Sequence, residues 1–295
     1  MTASRHSFLA SLTSSRRVWL RAGLLAAISP LFPGNLFAAL VDAPPPEHLT
    51  DAQEIALGRR FAAAFEAESP ILSNPLIDQH LNQMVRELAA ASLRPTLPYR
   101  VKTLNLPSMN AVSLPGGAIY IHRGMLEALE TEDELAAVLA HEIGHLVARH
   151  ALHQLALTLQ AQALLKPLLD SLTRQNSDIL QQLGGAAALL ARLSYTRHDE
   201  LEADHLGFQE SLGAGWDPRG FLKLFAVLDA HETSDAPPSQ PILNTHPATA
   251  DRIAAIQKDL ASVTIPEDAH TDSFEFRACK QALMLLGSHP LPPPG

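Results

Sequence analysis

Residues 141–145 read His-Glu-Ile-Gly-His, and the spacing of the two histidines predicts an α-helix that holds a metal ion. In a helix, residues four positions apart lie on one face, so His141 and His145 can bind one zinc ion together. Glu142 projects beside them and can take a proton from a zinc-bound water, which the ion makes acidic. The stretch therefore predicts a metal site with its own general base.

The helix around these residues has a clear start and an apolar face. Thr131-Glu132-Asp133-Glu134 matches a capping box, because the Thr131 hydroxyl and the Glu134 carboxylate can each accept a free amide of the first turn. Apolar residues then recur at helical spacing, at Leu135, Val138, Leu139, Ile143 and Leu146. We therefore expect the helix to be buried against other elements.

A catalytic zinc site needs a third protein ligand and an open fourth position. Glu200 and Asp204 are candidates, because they are four residues apart on another predicted helix. Either one can bind the metal while the other accepts a hydrogen bond from a ligating imidazole. Glu202 points elsewhere and is the second choice as ligand. The competing interpretation of all three is a solvated acidic helix face.

Small residues lie on the same side of this second helix as the candidate ligands. Ala203 and Gly207 share the face of Glu200 and Asp204, and the first helix carries Gly144. We expect these small side chains to let the two helices approach each other closely.

Composition limits the kinds of function that fit this chain. Its 295 residues carry a net charge of −9, and Lys and Arg form no basic stripe, which disfavours a nucleic-acid binder. Cys279 is the single cysteine, so an intramolecular disulfide and a Cys-rich zinc finger are excluded. Any metal must therefore be bound through histidines and carboxylates.

The first forty residues have the order of an export signal. A basic stretch at 15–21 precedes an apolar run from Ala22 to Phe32, and small residues follow at Ala38 and Ala39. The run is too short to span a bilayer, and Arg16-Arg17 leaves both the twin-arginine and the general secretory route open. We therefore expect a signal peptide at 1–40, a metallopeptidase domain at 45–265 without a transmembrane span, and a C-terminal helix and Pro-rich tail at 266–295.

The remaining patterns predict an α+β fold that is mostly helical, with one small, antiparallel-edged sheet. A capping box at Thr50–Gln53 and the pair Asn74-Pro75 each indicate the start of a helix. Alternation at 99–103 indicates a strand, and Pro115-Gly116-Gly117 indicates the turn of a hairpin between 110–114 and 118–122. Further helices are expected over 151–192, with interruptions, and from Arg197 to Gly213, and a Pro-rich loop at 236–247.

Four separated motifs carry a family resemblance that covers about residues 54–260. They are Asn110-Ala111 with Pro115-Gly116-Gly117 and Ile119-Tyr120-Ile121; His141 to His145; Arg197-His198-Asp199-Glu200 with Ala203-Asp204; and Thr245-His246-Pro247 with Arg252. In this order they resemble the zinc peptidases of the HtpX and CAAX prenyl protease family, and most closely their soluble periplasmic, BepA/LoiP-like branch. The resemblance implies a gluzincin fold, with the zinc helix behind a small sheet.

The resemblance also implies roles for individual residues. One zinc ion would be bound by His141, His145 and Glu200, with Asp204 as the hydrogen-bond partner of a ligand. It places His246 near the zinc, either as a resting fourth ligand that plugs the site or as a donor to the oxyanion. Arg252 could bind Asp204, Glu200 or a substrate carbonyl, and the sequence alone does not distinguish these three partners.

The hairpin and its strand have two interpretations. They can be a plain structural edge, which is the commoner role of such strands. In a zinc peptidase, the edge strand beside the metal usually takes the substrate as an added antiparallel strand. On the second interpretation the substrate-binding residues are Asn110, Gly117, Ile119, Tyr120 and Ile121.

These expectations together favour a periplasmic zinc metalloendopeptidase that cleaves misfolded or stalled envelope proteins. A peripheral association with the outer membrane is left open. One alternative is a chaperone or adaptor that holds unfolded chains with the same fold, although such a protein has no need of the base Glu142. Another is a helical interaction protein with an accidental zinc motif, which absence of bound metal would favour.

Overall fold

The computed structural model describes residues 49–157, 195–232, 246 and 249–287. The expected signal peptide, the predicted helical stretch from 158 to 192, most of the Pro-rich loop and the tail after 287 lie outside the described residues. Within the described ranges, no helix combines the length and the apolar character that crossing a membrane requires.

Two capped helices open the described chain. Helix α1 spans Asp51–Glu68, and its start is fixed by a reciprocal capping box between Thr50 and Gln53. Helix α2 spans Pro75–Ala90, and the side chain of Asn74 accepts hydrogen bonds from two amides of its first turn. Both predicted helix starts are confirmed.

The sheet is small and mixed. Its strands are β1 (Ile71–Leu72), β2 (Arg100–Leu104), β3 (Ala111–Leu114) and β4 (Ala118–His122), in the spatial order β1-β2-β4-β3. The outer pairs β1/β2 and β3/β4 are antiparallel, while β2 and β4 run parallel. The predicted hairpin is therefore confirmed. Gly116 and Gly117 in its turn have φ of 82° and 101°, a backbone region that favours glycine.

The position of β4 corrects one prediction. Tyr120 pairs with Lys102 of β2 on one side and with Val112 of β3 on the other. The strand containing Ile119, Tyr120 and Ile121 is thus interior, and its backbone has no free edge for an added peptide. The prediction that these residues form the edge is wrong, because a non-local parallel pairing with β2 covers the far side of the hairpin. The edge is β3.

Besides a helical segment at 150–157, six helices follow the sheet among the described residues, and the one with the His-Glu-Ile-Gly-His stretch is central. They are α3 (Arg123–Ala128), α4 (Glu132–Val147), α5 (Arg197–Gly213), α6 (Gly220–Glu232), α7 (Ala250–Ala261) and α8 (Phe274–Gly287). Helix α4 is buried over nearly its whole length and packs on α2, β3, α5 and α6. At its start, the Glu134 carboxylate accepts the amides of Glu130 and Thr131. Because α4 is buried, the polar side chains that it carries are held away from water.

Helices α4 and α5 cross at very short range. A Cβ added to Gly144 would lie 2.5 Å from the carbonyl oxygen of Ala203, and one added to Gly207 would lie 2.8 Å from the carbonyl carbon of Ala140. No larger side chain fits at either glycine without moving a backbone. The predicted close approach of the two helices is confirmed.

The end of α4 is held by a cluster of four charged side chains, which we call the Glu54 cluster: Asp51, Glu54, Arg94 and Arg149. Arg149 has a φ of 58°, so the chain reverses there before a helical segment at 150–157. Its guanidinium contacts Glu54 at 3.1 Å and Asp51 at 2.8 Å. Arg94 contacts Glu54 at 2.6 Å and donates to the carbonyl of Leu146 at 2.9 Å. The cluster therefore ties α1 to the end of α4.

Candidate metal centre

Four buried side chains converge where α4, α5 and the segment before α7 meet. They are His141, His145, Glu200 and His246, and their potential ligand atoms all lie within 4.8 Å of one another. The Nε2 atoms of His141 and His145 are 3.0 Å apart, and each lies 3.5 Å from a carboxylate oxygen of Glu200. Ligand atoms about 2.1 Å from a tetrahedral zinc ion are themselves about 3.4 Å apart. The observed spacings therefore suit a tetrahedral metal ion.

The contact of His141 with Asp204 determines which ring nitrogen of His141 carries the proton and which has a free lone pair facing the cluster. Its Nδ1 lies 2.9 Å from Oδ1 of Asp204, and an ionised carboxylate only accepts, so Nδ1 carries the proton. The Nε2 lone pair then points at Nε2 of His145. Electron-rich nitrogens facing each other at this distance are stabilised by a cation between the ligands, and the donor set therefore fits a metal.

Arg252 lies behind the ligands. It contacts Asp204 at 2.6 and 2.7 Å, Glu200 at 2.8 Å, and the backbone carbonyl of His246 at 3.2 Å. Two of the three partners considered from the sequence are thus engaged together. Burial works against the charge of Asp204, but the Arg252 guanidinium outweighs it and lowers the pKa of that carboxyl. Asp204 therefore stays an ionised acceptor for His141.

The electrostatics around His145 and Glu200 favour the forms of these two side chains that bind a metal. Burial lowers the pKa of His145 well below its usual value, so the imidazole is neutral and keeps a lone pair. For Glu200, burial would raise the pKa, but the charge of His246 and hydrogen bonds from His145 and His246 hold it far below the ordinary value. A neutral imidazole and an ionised carboxylate are the forms that bind a metal.

Glu142 lies beside the four potential ligand atoms and is not one of them. Its side chain is buried, with one carboxylate oxygen 4.0 Å from Nε2 of His246. The other oxygen, Oε2, has no hydrogen-bond partner among the described residues. A buried carboxylate oxygen beside the cluster with a spare lone pair is able to accept a proton from a molecule bound there.

Two aromatic neighbours of the cluster were not singled out as site residues from the sequence. The Tyr195 ring stacks on His145, with centroids 4.1 Å apart at 22°, and burial raises the pKa of its phenol well above the usual range. His150, interpreted from the sequence as a packing or surface residue, places Nδ1 2.8 Å from Nδ1 of His145. Tyr195 directly precedes the helix cap Thr196, and this was the available signal for it.

The other candidates lie away from the four ligand atoms. The side chain of Glu202, the second choice as ligand, is 46% exposed and contacts His150 and His198. The Tyr120 side chain is buried and donates to Glu66, and the Gly117 carbonyl accepts from the amide of Arg100. Asn110 is buried directly before β3 and lacks a partner for Oδ1 in the described ranges. Its role in substrate binding stays a prediction.

Comparisons with known proteins point to one family. A model of peptidase family M48 matches residues 75–260. The beta-barrel assembly-enhancing proteases of Yersinia pestis and Escherichia coli (strain K12) are 30% and 29% identical to this chain, over 68% and 70% of its length. The mitochondrial metalloendopeptidase OMA1 of Schizosaccharomyces pombe is 30% identical over 64% of the chain and 55% of its own length. The chain spans 43% of the length of the two bacterial relatives.

Proposed function

The chain belongs to peptidase family M48, and on this premise we propose that it is a zinc-dependent metalloendopeptidase. The observation that carries the proposal is the meeting of two imidazoles and a carboxylate at tetrahedral spacing, with a separate buried carboxylate, Glu142, beside them. A scaffold protein needs neither the ligand geometry nor the base. The residues therefore support hydrolysis in preference to binding alone.

In the proposed mechanism His141, His145 and Glu200 hold the zinc ion. When bound, the ion supplies a nucleophilic water near neutral pH and polarises the carbonyl of the substrate. Glu142 takes the proton of the attacking water through its Oε2 and passes it to the leaving amine. Asp204 keeps His141 in the ligating tautomer, and Arg252 keeps Asp204 and Glu200 in place. Arg252 is thus assigned a positioning role.

His246 is proposed to plug the centre at rest. Its Nδ1 lies 3.3 Å from Nε2 of His141 and 2.8 Å from Oε1 of Glu200, which suits a fourth ligand. Substrate would have to displace it by offering compensating contacts. The competing role, a donor to the oxyanion, requires the ring to move out of contact with the ligands.

An extended protein segment is the proposed substrate, and β3 is its proposed docking edge. The amide of His122 donates to the carbonyl of Asn110, which sets the alternation so that Val112 and Leu114 bond to β4. The amides and carbonyls of Ala111 and Ser113 then point away from β4, and they make no backbone–backbone hydrogen bond within the described part of the chain. Both residues are buried, so a docking peptide would have to displace what covers this edge. Because β3 also packs on α4, a peptide added there would run past the metal centre.

The setting of this activity is also a proposal. The basic, apolar and small-residue order of residues 1–40 supports export, and the similarity to beta-barrel assembly-enhancing proteases supports misassembled envelope proteins as substrates in the periplasm. The second candidate function, a chaperone that holds unfolded chains, rests on the same unpaired β3 edge. It differs in needing no base.

The test combines zinc content with cleavage of an unfolded protein. About one zinc ion per chain should co-purify, and His141→Ala or Glu200→Ala should lose most of it. Glu142→Gln should keep the metal and lose proteolysis, because the base is not a ligand. Full zinc retention in Glu200→Ala would contradict the ligand assignment. Zinc-independent suppression of aggregation without any cleavage would favour the chaperone.

A further inference from the structure

The two histidines of α4 have hydrogen-bond partners of different chemical kinds. His141 is oriented by the carboxylate of Asp204, whereas Nδ1 of His145 lies 2.8 Å from Nδ1 of His150. On its far side, Nε2 of His150 lies 3.3 Å from Oε2 of Glu202 and 3.7 Å from Oδ1 of Asp199. His145, His150 and Glu202 therefore form a chain from the buried centre to a side chain that is 46% exposed.

Hydrogen-bond chemistry gives this chain a direction. A His145 that binds metal through Nε2 carries its proton on Nδ1, so Nδ1 of His150 must be the acceptor. The proton of His150 is then on Nε2, where the Glu202 carboxylate accepts it. The assignment requires a neutral imidazole at 150, which accepts at Nδ1 from His145 and donates from Nε2 to Glu202 at the observed distances. Each ring nitrogen that takes part in these hydrogen bonds is thus a donor or an acceptor that matches its partner.

The backbone is strained at the position that brings His150 into place. On an unbroken helix, a residue five positions after His145 would lie on a different face. Helix α4 instead ends at Val147, and Arg149 adopts a φ of 58°, which is costly for a residue other than glycine. The contacts of Arg149 with Asp51 and Glu54 hold this reversal. The Glu54 cluster therefore maintains the turn that places His150 against His145.

We propose that His150 is a positioning residue that fixes the tautomer and ring plane of His145, with Glu202 fixing His150 in turn. The inference rests on the proposed metal site and adds a second orienting device to the one formed by Asp204. Loss of a partner of this kind weakens metal binding on the order of 10- to 100-fold. The effect should appear in metal affinity before any proteolysis is measured.

The experiment compares two variants of the full chain that differ in one acceptor. His150→Leu fills the space and removes the acceptor, whereas His150→Asn keeps an oxygen near the position of Nδ1. Zinc dissociation constants are measured by competition with a chromophoric chelator, and the visible spectrum of the Co²⁺-loaded protein reports ligand geometry. We expect zinc binding on the order of 10- to 100-fold weaker in His150→Leu, a shifted Co²⁺ spectrum, and recovery of most of the loss in His150→Asn.

Each outcome bears on the proposal. Equal affinity of His150→Leu and wild type would overturn it, as would equal losses in the Leu and Asn variants, which would show a packing effect. Should His150→Leu fail to fold, Glu202→Ala serves at a half-exposed position: several-fold weaker zinc binding supports the chain, and unchanged binding overturns it. Wild-type protein that binds no zinc would instead refute the proposed metal site, so the two failures are distinguishable.

Discussion

Nδ1 of His246 lies 2.8 Å from Oε1 of Glu200, so a residue from the segment before α7 touches the proposed third ligand. Burial opposes the charged form of His246, but the charge of Glu200 outweighs it and raises the pKa of the imidazole. A protonated ring nitrogen has no lone pair for a metal, so the plug role requires His246 to be neutral, and a substrate carbonyl can enter only after the ring leaves Glu200. The two roles considered for His246 therefore predict opposite changes in cleavage rate when its side chain is removed.

Replacing His246 with alanine should raise the basal cleavage of an unfolded protein, because the variant cannot occupy the fourth position. His153→Ala, at an exposed histidine of the segment after α4, is the matched control and should cleave at the wild-type rate. Rates are measured on a fluorescently quenched unfolded substrate, with zinc content determined in parallel. A fall in kcat of about a hundredfold with zinc retained would contradict the plug and support an oxyanion role.

Substituting Ser113 with proline should impair cleavage of extended substrates and leave zinc content unchanged. Proline removes an amide that points away from the sheet, where it is tolerated in an edge strand. Ser113→Ala keeps the amide and should retain wild-type KM, which separates loss of the backbone donor from loss of the hydroxyl. The expected rise in KM is several-fold, the loss of about one hydrogen bond. Equal KM values for all three proteins would rule out strand addition at this residue.

Gly207→Ala should destabilise the protein by about 1–3 kcal/mol and lower its zinc content, because the new methyl group meets the backbone of α4. Gly213→Ala lies on the same helix, where the added Cβ meets the side-chain methyl of Ala91 at 3.2 Å. That variant should lie within about 1 kcal/mol of wild type, since alanine favours the helix. Urea unfolding with and without zinc measures both. Similar stability of the two variants would disprove the tight crossing.

Glu210→Gln should stabilise the protein increasingly as pH rises. Burial raises the pKa of Glu210 from 4.5 to about 9, and its oxygens have no hydrogen-bond partners within the described ranges. Between these values the folded chain keeps a proton that the unfolded chain releases, so the free energy of unfolding of wild type falls with pH. Glutamine has no such proton, and the gain at pH 8 should reach on the order of a few kcal/mol.

The measurement for Glu210 is urea unfolding at pH 5 and pH 8 on chelator-treated protein, so that metal binding does not contribute. Glu68→Gln, at an exposed position near the end of α1, is the control. It should show no stability gain that grows with pH. A gain for Glu210→Gln that is the same at both pH values would contradict the burial argument.

Local signals in the sequence predicted local structure well. The caps at Thr50 and Asn74 and the limits Arg197–Gly213 of α5 agree with the structure, because capping side chains and glycine act within one helical turn. The small residues on α4 and α5 also predicted the helix crossing. Strand order was not predictable in this way, since the parallel pairing of β2 with β4 joins segments separated by a turn and another strand.

The same distinction between local and non-local signals applies to the site residues. Residues at fixed spacing on one helix, such as His141 and His145, were visible as a set, and Glu200 with Asp204 followed the same rule. His150 was not recognised, because its position depends on the left-handed backbone of Arg149 and on charges from α1. Periodicity cannot show a contact that exists only where a helix stops.

The Glu54 cluster limits how many residues can be removed from the N-terminal side of the chain without losing structural contacts. The family model begins at residue 75, yet Glu54 and Asp51 on α1 neutralise Arg94 and Arg149. Helix α1 also lies so close to the hairpin turn that a Cβ on Gly58 would meet the carbonyl of Pro115 at 1.8 Å. A fragment starting at 75 would lose these contacts while keeping every proposed ligand. We therefore expect the folding unit to extend towards the N-terminus beyond the residues that the family model matches.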